Sequence, residues 1–262
     1  MFKEKMVTPA IPERVFALCK IVEKGPITVA DIKDKMEPKF LGNGSEYFND
    51  YKNAAEELGL ITISDDLLSL AVEPKTVKNI ESMRRYINNN LERLNNGQFY
   101  RVTQAYYDMG SDILKCDKNI ATLGPMFSDM VGMPVDAMAM RAWRFWAAFL
   151  GFGYLQEKAR DYMFIIPNAY VFLDDIISSV EFEKKKKYTI TEFIDLITPM
   201  ANIVITNTSQ KELSYGVSNG LRALHDKKKI KLEHIHDQED MWSLYPLKAY
   251  SNDSIITHIS VL

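Results

Sequence analysis

Two histidines set two residues apart offer the most specific chemical spacing in this sequence. His234 and His236 follow the alternating run Ile230-Lys231-Leu232-Glu233. On a strand that spacing turns both rings to one side, as a shared metal ion requires. Glu233, Asp237 and Asp240 add oxygens nearby. The same residues suit a solvated strand beside a turn, and that is the reading taken here, with no metal and no other cofactor expected. Cys19 falls in an apolar stripe and reads as a core thiol. Cys116 lies between Lys115 and Lys118, where cations favour thiolate, but it reads as an isolated surface cysteine. Asp65-Asp66 and Asp174-Asp175 are paired carboxylates, the first in a predicted turn and the second on a predicted helix, with both pairs read as solvated. The chain has no Gly-rich phosphate loop, no G-x-S-x-G and no H-E-x-x-H. An enzyme is not expected.

The other chemistry open to these residues is contact with phosphate, which needs clustered cations. The chain has 32 Lys+Arg and 35 Asp+Glu in 262 residues, which excludes a polybasic protein. Residues 1–72 carry 9 basic and 12 acidic side chains. Their candidate recognition helix, Ser45 to Leu58, offers Lys52 with Asn49 and Asn53 but also Glu46, Asp50, Glu56 and Glu57. The helix Ala137 to Leu150 carries Arg141 and Arg144, with an acid only at Asp136. Arg222, Lys227, Lys228, Lys229 and Lys231 gather where a third helix runs into a strand, a place where cations also suit the negative helix end. Arg141, Arg144, Arg222, Lys227, Lys228, Lys229, Lys231, Lys52 and Asn53 are therefore the candidate nucleic-acid contacts. Trp143 and Trp146, on a helix apolar nearly all round, are the candidate partner contacts. That helix must be buried against its own core, another unit or another chain.

The elements that would position these residues are short helices and hairpins. Pro12 opens a helix over Ile11 to Glu23, and Gly25-Pro26 stops it. Thr28 with Asp31 caps a short helix to Met36. The third helix ends at Gly59 in the C′ manner, and Leu60–Ile63 with Leu67–Leu70 form a hairpin. Pro74 to Leu94 and Phe99 to Leu114 are predicted as two long helices. A helix from Thr122 to Val131, the Asp136-capped helix and a hairpin of 154–155 with 162–166 repeat the first pattern. In the last part Thr189 opens a helix that ends before Pro199, and Ser209 or Ser214 caps another. Strands 230–235 and 241–246 are predicted to pair, with the tail 255–261 free to join them.

This order predicts a mainly α fold with small β-hairpins: tandem winged helix-turn-helix units joined by a helical linker. The expected units are 1–72, a helical connector 73–119, a second unit 120–180 and a third 181–262. No export signal is read at the N-terminus. The longest apolar stretch, Phe145 to Phe152, is too short for a bilayer. Two cysteines exclude a disulfide scaffold. A cytoplasmic protein with no membrane partner is expected, and self-association is left open.

The segment Thr8-Pro9-Ala10-Ile11-Pro12-Glu13-Arg14-Val15, the helix running to Gly25-Pro26, and the closing Ile256-Thr257-His258-Ile259 resemble the protein DpdG family. That family belongs to the bacterial gene cluster that inserts deazapurines into DNA and restricts unmodified DNA. The resemblance covers about a third of the chain. It implies a non-catalytic subunit of an anti-phage, restriction-type defence complex, working beside separate ATPase and nuclease subunits and near double-stranded DNA. It carries over no site residues. The order of units alone is similar to winged-helix accessory subunits of SMC-like complexes. A stand-alone winged-helix transcriptional regulator is the rival expectation.

Overall fold

A computed structural model describes residues 1–41, 47–117, 119–157, 163–206, 208–248 and 254–262. The architecture is mixed α/β and about 52% helical, with ten α-helices and small antiparallel sheets among the described residues. No described helix is long and apolar enough to cross a membrane.

The first stretch contains α1 (Pro12–Val22), β1 (Ile27–Thr28), α2 (Val29–Met36), α3 (Phe48–Glu57), β2 (Ile61–Ser64) and β3 (Leu67–Leu70). Its strand order is β1-β3-β2. Local chemistry sets most of its boundaries. Pro12 sits in the first turn of α1. The Thr28 hydroxyl accepts from the Asp31 amide and caps α2. Gly59 takes φ +61° after α3, a conformation a side chain resists. Asp65 and Asp66, both at positive φ, make the two-residue turn whose twist suits a hairpin.

The predicted helix 74–94 is broken in the structure. A 3-10 turn (Pro74–Val77) gives way to α4 (Ile80–Asn89) and then to another 3-10 turn (Leu91–Leu94). The break follows from Asn79, whose side chain accepts from the Ser82 amide at 2.7 Å and starts a new helix. The predicted helix 99–114 is α5 (Gln98–Asp108), ended at Gly110 with φ +54° and followed by a 3-10 turn (Asp112–Lys115).

Next come a 3-10 turn (Ile120–Leu123), α6 (Gly124–Val131), α7 (Ala137–Leu150) and the two-stranded sheet of β4 (Gly153–Glu157) with β5 (Met163–Pro167). Residues 158–162, where that hairpin was expected to turn, lie outside the described residues. Asp136 caps α7 through the Ala139 amide at 2.7 Å, and Gly151 closes it at φ +84°.

The last stretch holds α8 (Tyr170–Ile177), β6 (Lys187–Thr189), α9 (Ile190–Ala201), α10 (Tyr215–Asp226), β7 (Ile230–Glu233), β8 (Trp242–Ser243), β9 (Ile255–Ile256) and β10 (His258–Val261). α8 was expected within the second unit, but it packs on α9 and α10 as well as α4. Thr189 and Glu192 form a reciprocal capping box at α9, and Ser214 caps α10. Two expectations are corrected here. α9 runs through Pro199 to Ala201. The carbonyl that Pro199 cannot bond belongs to Asp195, an exposed residue, so water can satisfy it. β7 pairs with the tail strand β10 rather than with 241–246, because β10 buries Ile259 opposite Leu232 between β6 and β7. β8 pairs instead with β9.

One continuous core runs through nearly all of these elements. An aromatic series runs through it: Phe2 to Phe99 (ring centroids 5.1 Å), Phe99 to Phe152 (6.2 Å) and Phe152 to Phe172 (4.8 Å). It thus passes from the N-terminal arm through α5 to α8. Burying each such ring stabilises by roughly 1.5–3 kcal/mol. Gln98 extends the same bracing with polar groups. It accepts from the Met6 amide at 2.9 Å and donates to the Pro134 carbonyl at 2.6 Å.

Candidate nucleic-acid interface

The three helices that precede hairpin strands differ in what they show to solvent. α3 exposes Asn49, Asn53 and Glu56, spaced to share a face, while Lys52 is half-buried. Acid and amide therefore dominate that face. α7 exposes Met138 and Arg141, with Arg144 and Phe145 half-buried on the same side. Burial lowers the pKa of Arg144, and neighbouring Arg141 lowers it further. Two like charges one turn apart, with no acid between them, leave a surface that an anion would relieve. Asp136, at the start of α7, is held by Lys5 at 2.8 Å.

α10 is closed off. Only His225 and Asp226, at its end, are exposed. Arg222, a candidate phosphate contact, is 5% exposed and donates to the Tyr245 carbonyl at 2.7 Å. It is turned into the protein, so the phosphate role is corrected to an internal one. The lysines that follow remain outside. Lys227 lies over the Tyr170 ring, 5.4 Å from its centroid. Lys228 is exposed at φ +56°. Lys229 pairs with Asp174 at 3.4 Å and Lys231 with Glu233 at 2.9 Å. Hydrogen bonding from Lys231, helped by Lys187, holds the Glu233 carboxyl below its usual range against the opposing effect of burial. Two of the five clustered cations thus already have acidic partners, and one is internal.

Trp143 and Trp146 are fully buried. The Trp143 indole donates to Thr103 at 2.9 Å, and the Trp146 indole donates to the Ala10 carbonyl. Trp146 also packs edge-on against Phe2, centroids 4.8 Å apart. Their assignment as partner contacts is therefore corrected: α7 meets its own α5 and the N-terminal arm, and the rings have no surface left for another chain.

The expected chemical residues fall out as follows. His234 and His236 are exposed, ring centroids 5.0 Å apart. No three His, Cys, Asp or Glu side chains come together as a metal site among the described residues. Cys19 is buried, and desolvation pushes its thiol up to about 12. Cys116 is half-buried.

Asp174 and Asp175 part company. Asp174 meets Lys229, while Asp175 is 1% exposed. Asp175 accepts from Arg84 Nε at 2.8 Å, Arg84 Nη2 at 3.2 Å and Asn88 Nδ2 at 2.9 Å, with Arg85 Nε at 3.5 Å. Asn88 also donates to the Leu150 carbonyl at 3.0 Å. This buried polar cluster joins α4, α7 and α8, and the sequence reading missed it. The available signal was Arg84, in phase with the apolar stripe of its helix, where a buried acid must meet it.

No family model, curated protein or solved structure matches this chain.

Proposed function

We propose that this protein is a non-catalytic adaptor built from tandem winged helix-turn-helix units. In this reading it joins protein subunits of a DNA-acting, restriction-type defence assembly and touches duplex DNA weakly. The observation that carries the reading is a repeated order. Helix, strand, helix, helix, strand, strand occurs as α1-β1-α2-α3-β2-β3 and again, with β8 and β9 inserted before the last strand, as α8-β6-α9-α10-β7-β10; the strand orders are β1-β3-β2 and β6-β10-β7. α5, α6, α7, β4 and β5 supply a shorter version between them. That order supports winged-helix units; it does not choose a partner.

The surfaces favour an adaptor over a stand-alone regulator. A regulator needs an open, cation-rich helix to lie in the major groove. α3 is open but acidic, and α10 is covered. Beyond Lys52 on the acidic face of α3, the exposed or half-exposed candidate cations without an acidic partner named above are Arg141, Arg144, Lys227 and Lys228. They suit weak backbone contact without base readout. The likeness of Thr8–Val15 and Ile256–Ile259 to the protein DpdG family agrees with a place beside ATPase and nuclease subunits.

The test has two parts. Binding to mixed-sequence duplex DNA is followed by fluorescence anisotropy as salt rises. About four phosphate contacts predict a loss of roughly a hundredfold between about 50 and 200 mM salt, independent of sequence. Affinity purification from the native host, with the partners identified, should yield a stable complex containing nucleic-acid-processing subunits. Tight, sequence-specific binding with no stable partner would establish the regulator instead.

A further inference from the structure

We propose that the cleft between the C-terminal end of α5, the α9–α10 connection and β8 binds an organic cation, an alkylammonium or guanidinium group. The cleft has a volume of about 510 Å³, within the usual range for a small-ligand site. Four aromatic residues line it: Tyr107, Tyr215, Trp242 and Tyr245. The Tyr215 and Tyr245 rings stand edge to face, centroids 5.1 Å apart. Trp242, at the buried wall of the cleft, is fixed by a 3.0 Å bond from its indole N–H to Thr191. Rings of this kind attract a cation through their quadrupole.

The charges agree. Asp108 and Glu212 line the cleft and are exposed, and no Lys, Arg or His is among its described lining residues. The Thr206 hydroxyl donates to Asp108 and steadies that carboxylate. Nearby cations are held elsewhere: Lys211 lies on Asp240 at 2.9 Å and Lys115 on Asp112 at 2.7 Å. The N-terminus of α10 also borders the cleft through Ser214 and Tyr215. A helix end contributes roughly half a positive charge, against two full negative charges from the carboxylates. The net field therefore opposes phosphate and favours a cation. A neutral sugar would use the rings but not the carboxylates. The inference rests on this cleft alone and stands apart from the adaptor reading.

The test is calorimetric titration of the full chain with tetramethylammonium, arginine amide and a Lys/Arg-rich peptide, with inorganic phosphate and glucose as comparisons. Saturable binding of the cations at millimolar concentration or below is expected. Glu212→Gln, at an exposed position, should weaken it several-fold, and Tyr215→Leu about tenfold. Both variants are checked for an unchanged melting transition. If Tyr215→Leu does not fold, Glu212→Gln decides. A peptide binding at least tenfold tighter than arginine amide identifies a basic side chain of a partner as the natural occupant, and equal binding identifies a free small cation. Absence of saturable cation binding up to about 10 mM overturns the proposal. So does cation affinity unchanged by Glu212→Gln, or binding of phosphate or glucose as tight as that of the cations.

Discussion

The first and last stretches of this protein order their strands alike but treat the helix before the second strand in opposite ways. α3 keeps one face open, with Asn49, Asn53 and Glu56 toward solvent. α10 is enclosed on several sides. It packs against α8, β5 and β7, and the chain between β7 and β10 returns over it, with the Ser218 hydroxyl accepting from the Tyr245 amide at 2.8 Å and Arg222 donating to the Tyr245 carbonyl. The cause lies in what joins the last two strands of each. Between β2 and β3 stand only Asp65 and Asp66. Between β7 and β10 stand residues 234–257, long enough to form β8 and β9 and to reach back to α9 and α10. A strand order can thus repeat while the surface it presents does not. The insertion between strands, rather than the repeated frame, decides whether the helix is free to meet a partner.

The largest test of this difference concerns the helices that open the two stretches. α1 buries only apolar side chains, namely Pro12, Val15, Leu18, Cys19 and Val22. α8 buries Asp175 against Arg84 and Asn88 of α4. Asp175→Asn removes the charge while Arg84, with 21% of its side chain exposed, stays partly desolvated. Breaking a buried pair costs about 3–5 kcal/mol. The partial exposure of Arg84 places the expected loss near the lower end, about 3 kcal/mol, read by urea denaturation. A loss below about 0.5 kcal/mol would mean that α8 is held by apolar packing as α1 is, and this part of the contrast would disappear.

A smaller effect separates α3 from α10 directly. A Cβ added at Gly220 would stand 2.8 Å from the Ala169 carbonyl carbon and 2.9 Å from the Tyr170 nitrogen. Alanine would raise helix propensity by about 1 kcal/mol, but backbone cannot move aside as a flexible side chain can. Gly220→Ala should destabilise by about 1–3 kcal/mol. Asn53→Ala, on the open face of α3, should change stability by less than about 0.5 kcal/mol. Thermal melts of the two variants side by side measure the difference. Equal effects would show that α10 is no more confined than α3.

The elements legible in the sequence were those fixed by neighbours. Thr28, Asp136, Thr189 and Ser214 cap helices through amides three residues on. Gly59 and Gly151 end helices by taking positive φ, and the Asp65-Asp66 turn sets its hairpin. What stayed hidden depends on distant residues. Asp175 is buried because Arg84, 91 positions earlier, meets it. Trp146 faces inward because Ala10 and Phe2 cover it. Arg222 turns in because Tyr245 returns to it, and β7 finds its partner at the far end of the chain. Charge clusters were legible as composition. Which cations face solvent was not, because helical phase alone does not tell which faces distant segments will cover. The candidate interface therefore kept Arg141, Lys227 and Lys228 exposed, lost Arg222, and had Lys229 and Lys231 paired with acids.

The smallest expected effect tests the insertion itself, through pH. Asp240 ties the returning chain to α9. It accepts from the Thr191 amide at 3.0 Å, the Thr191 hydroxyl at 2.7 Å and Lys211 at 2.9 Å. Burial alone would raise its pKa, but these bonds and the Lys211 charge outweigh burial and bring it down to about 2. An unfolded aspartate titrates near 3.9. The folded state therefore binds the proton less readily, so this contribution is fully present above about pH 4 and is lost as pH falls toward 2. With 24% of the side chain exposed, solvent screening reduces it to about 1–2 kcal/mol. Asp240→Asn should lower stability by that amount at neutral pH, and the gap from the native chain should narrow between about pH 4 and pH 2. Asp65, in the short turn of the first stretch, serves as the matched comparison. It accepts from the Ser64 hydroxyl at 3.4 Å, a long and exposed contact, so Asp65→Asn should open a much smaller gap at neutral pH. Equal gaps for the two variants would mean that the long insertion is no better anchored than a surface turn, and the enclosure of α10 would then rest on α8, β5 and β7.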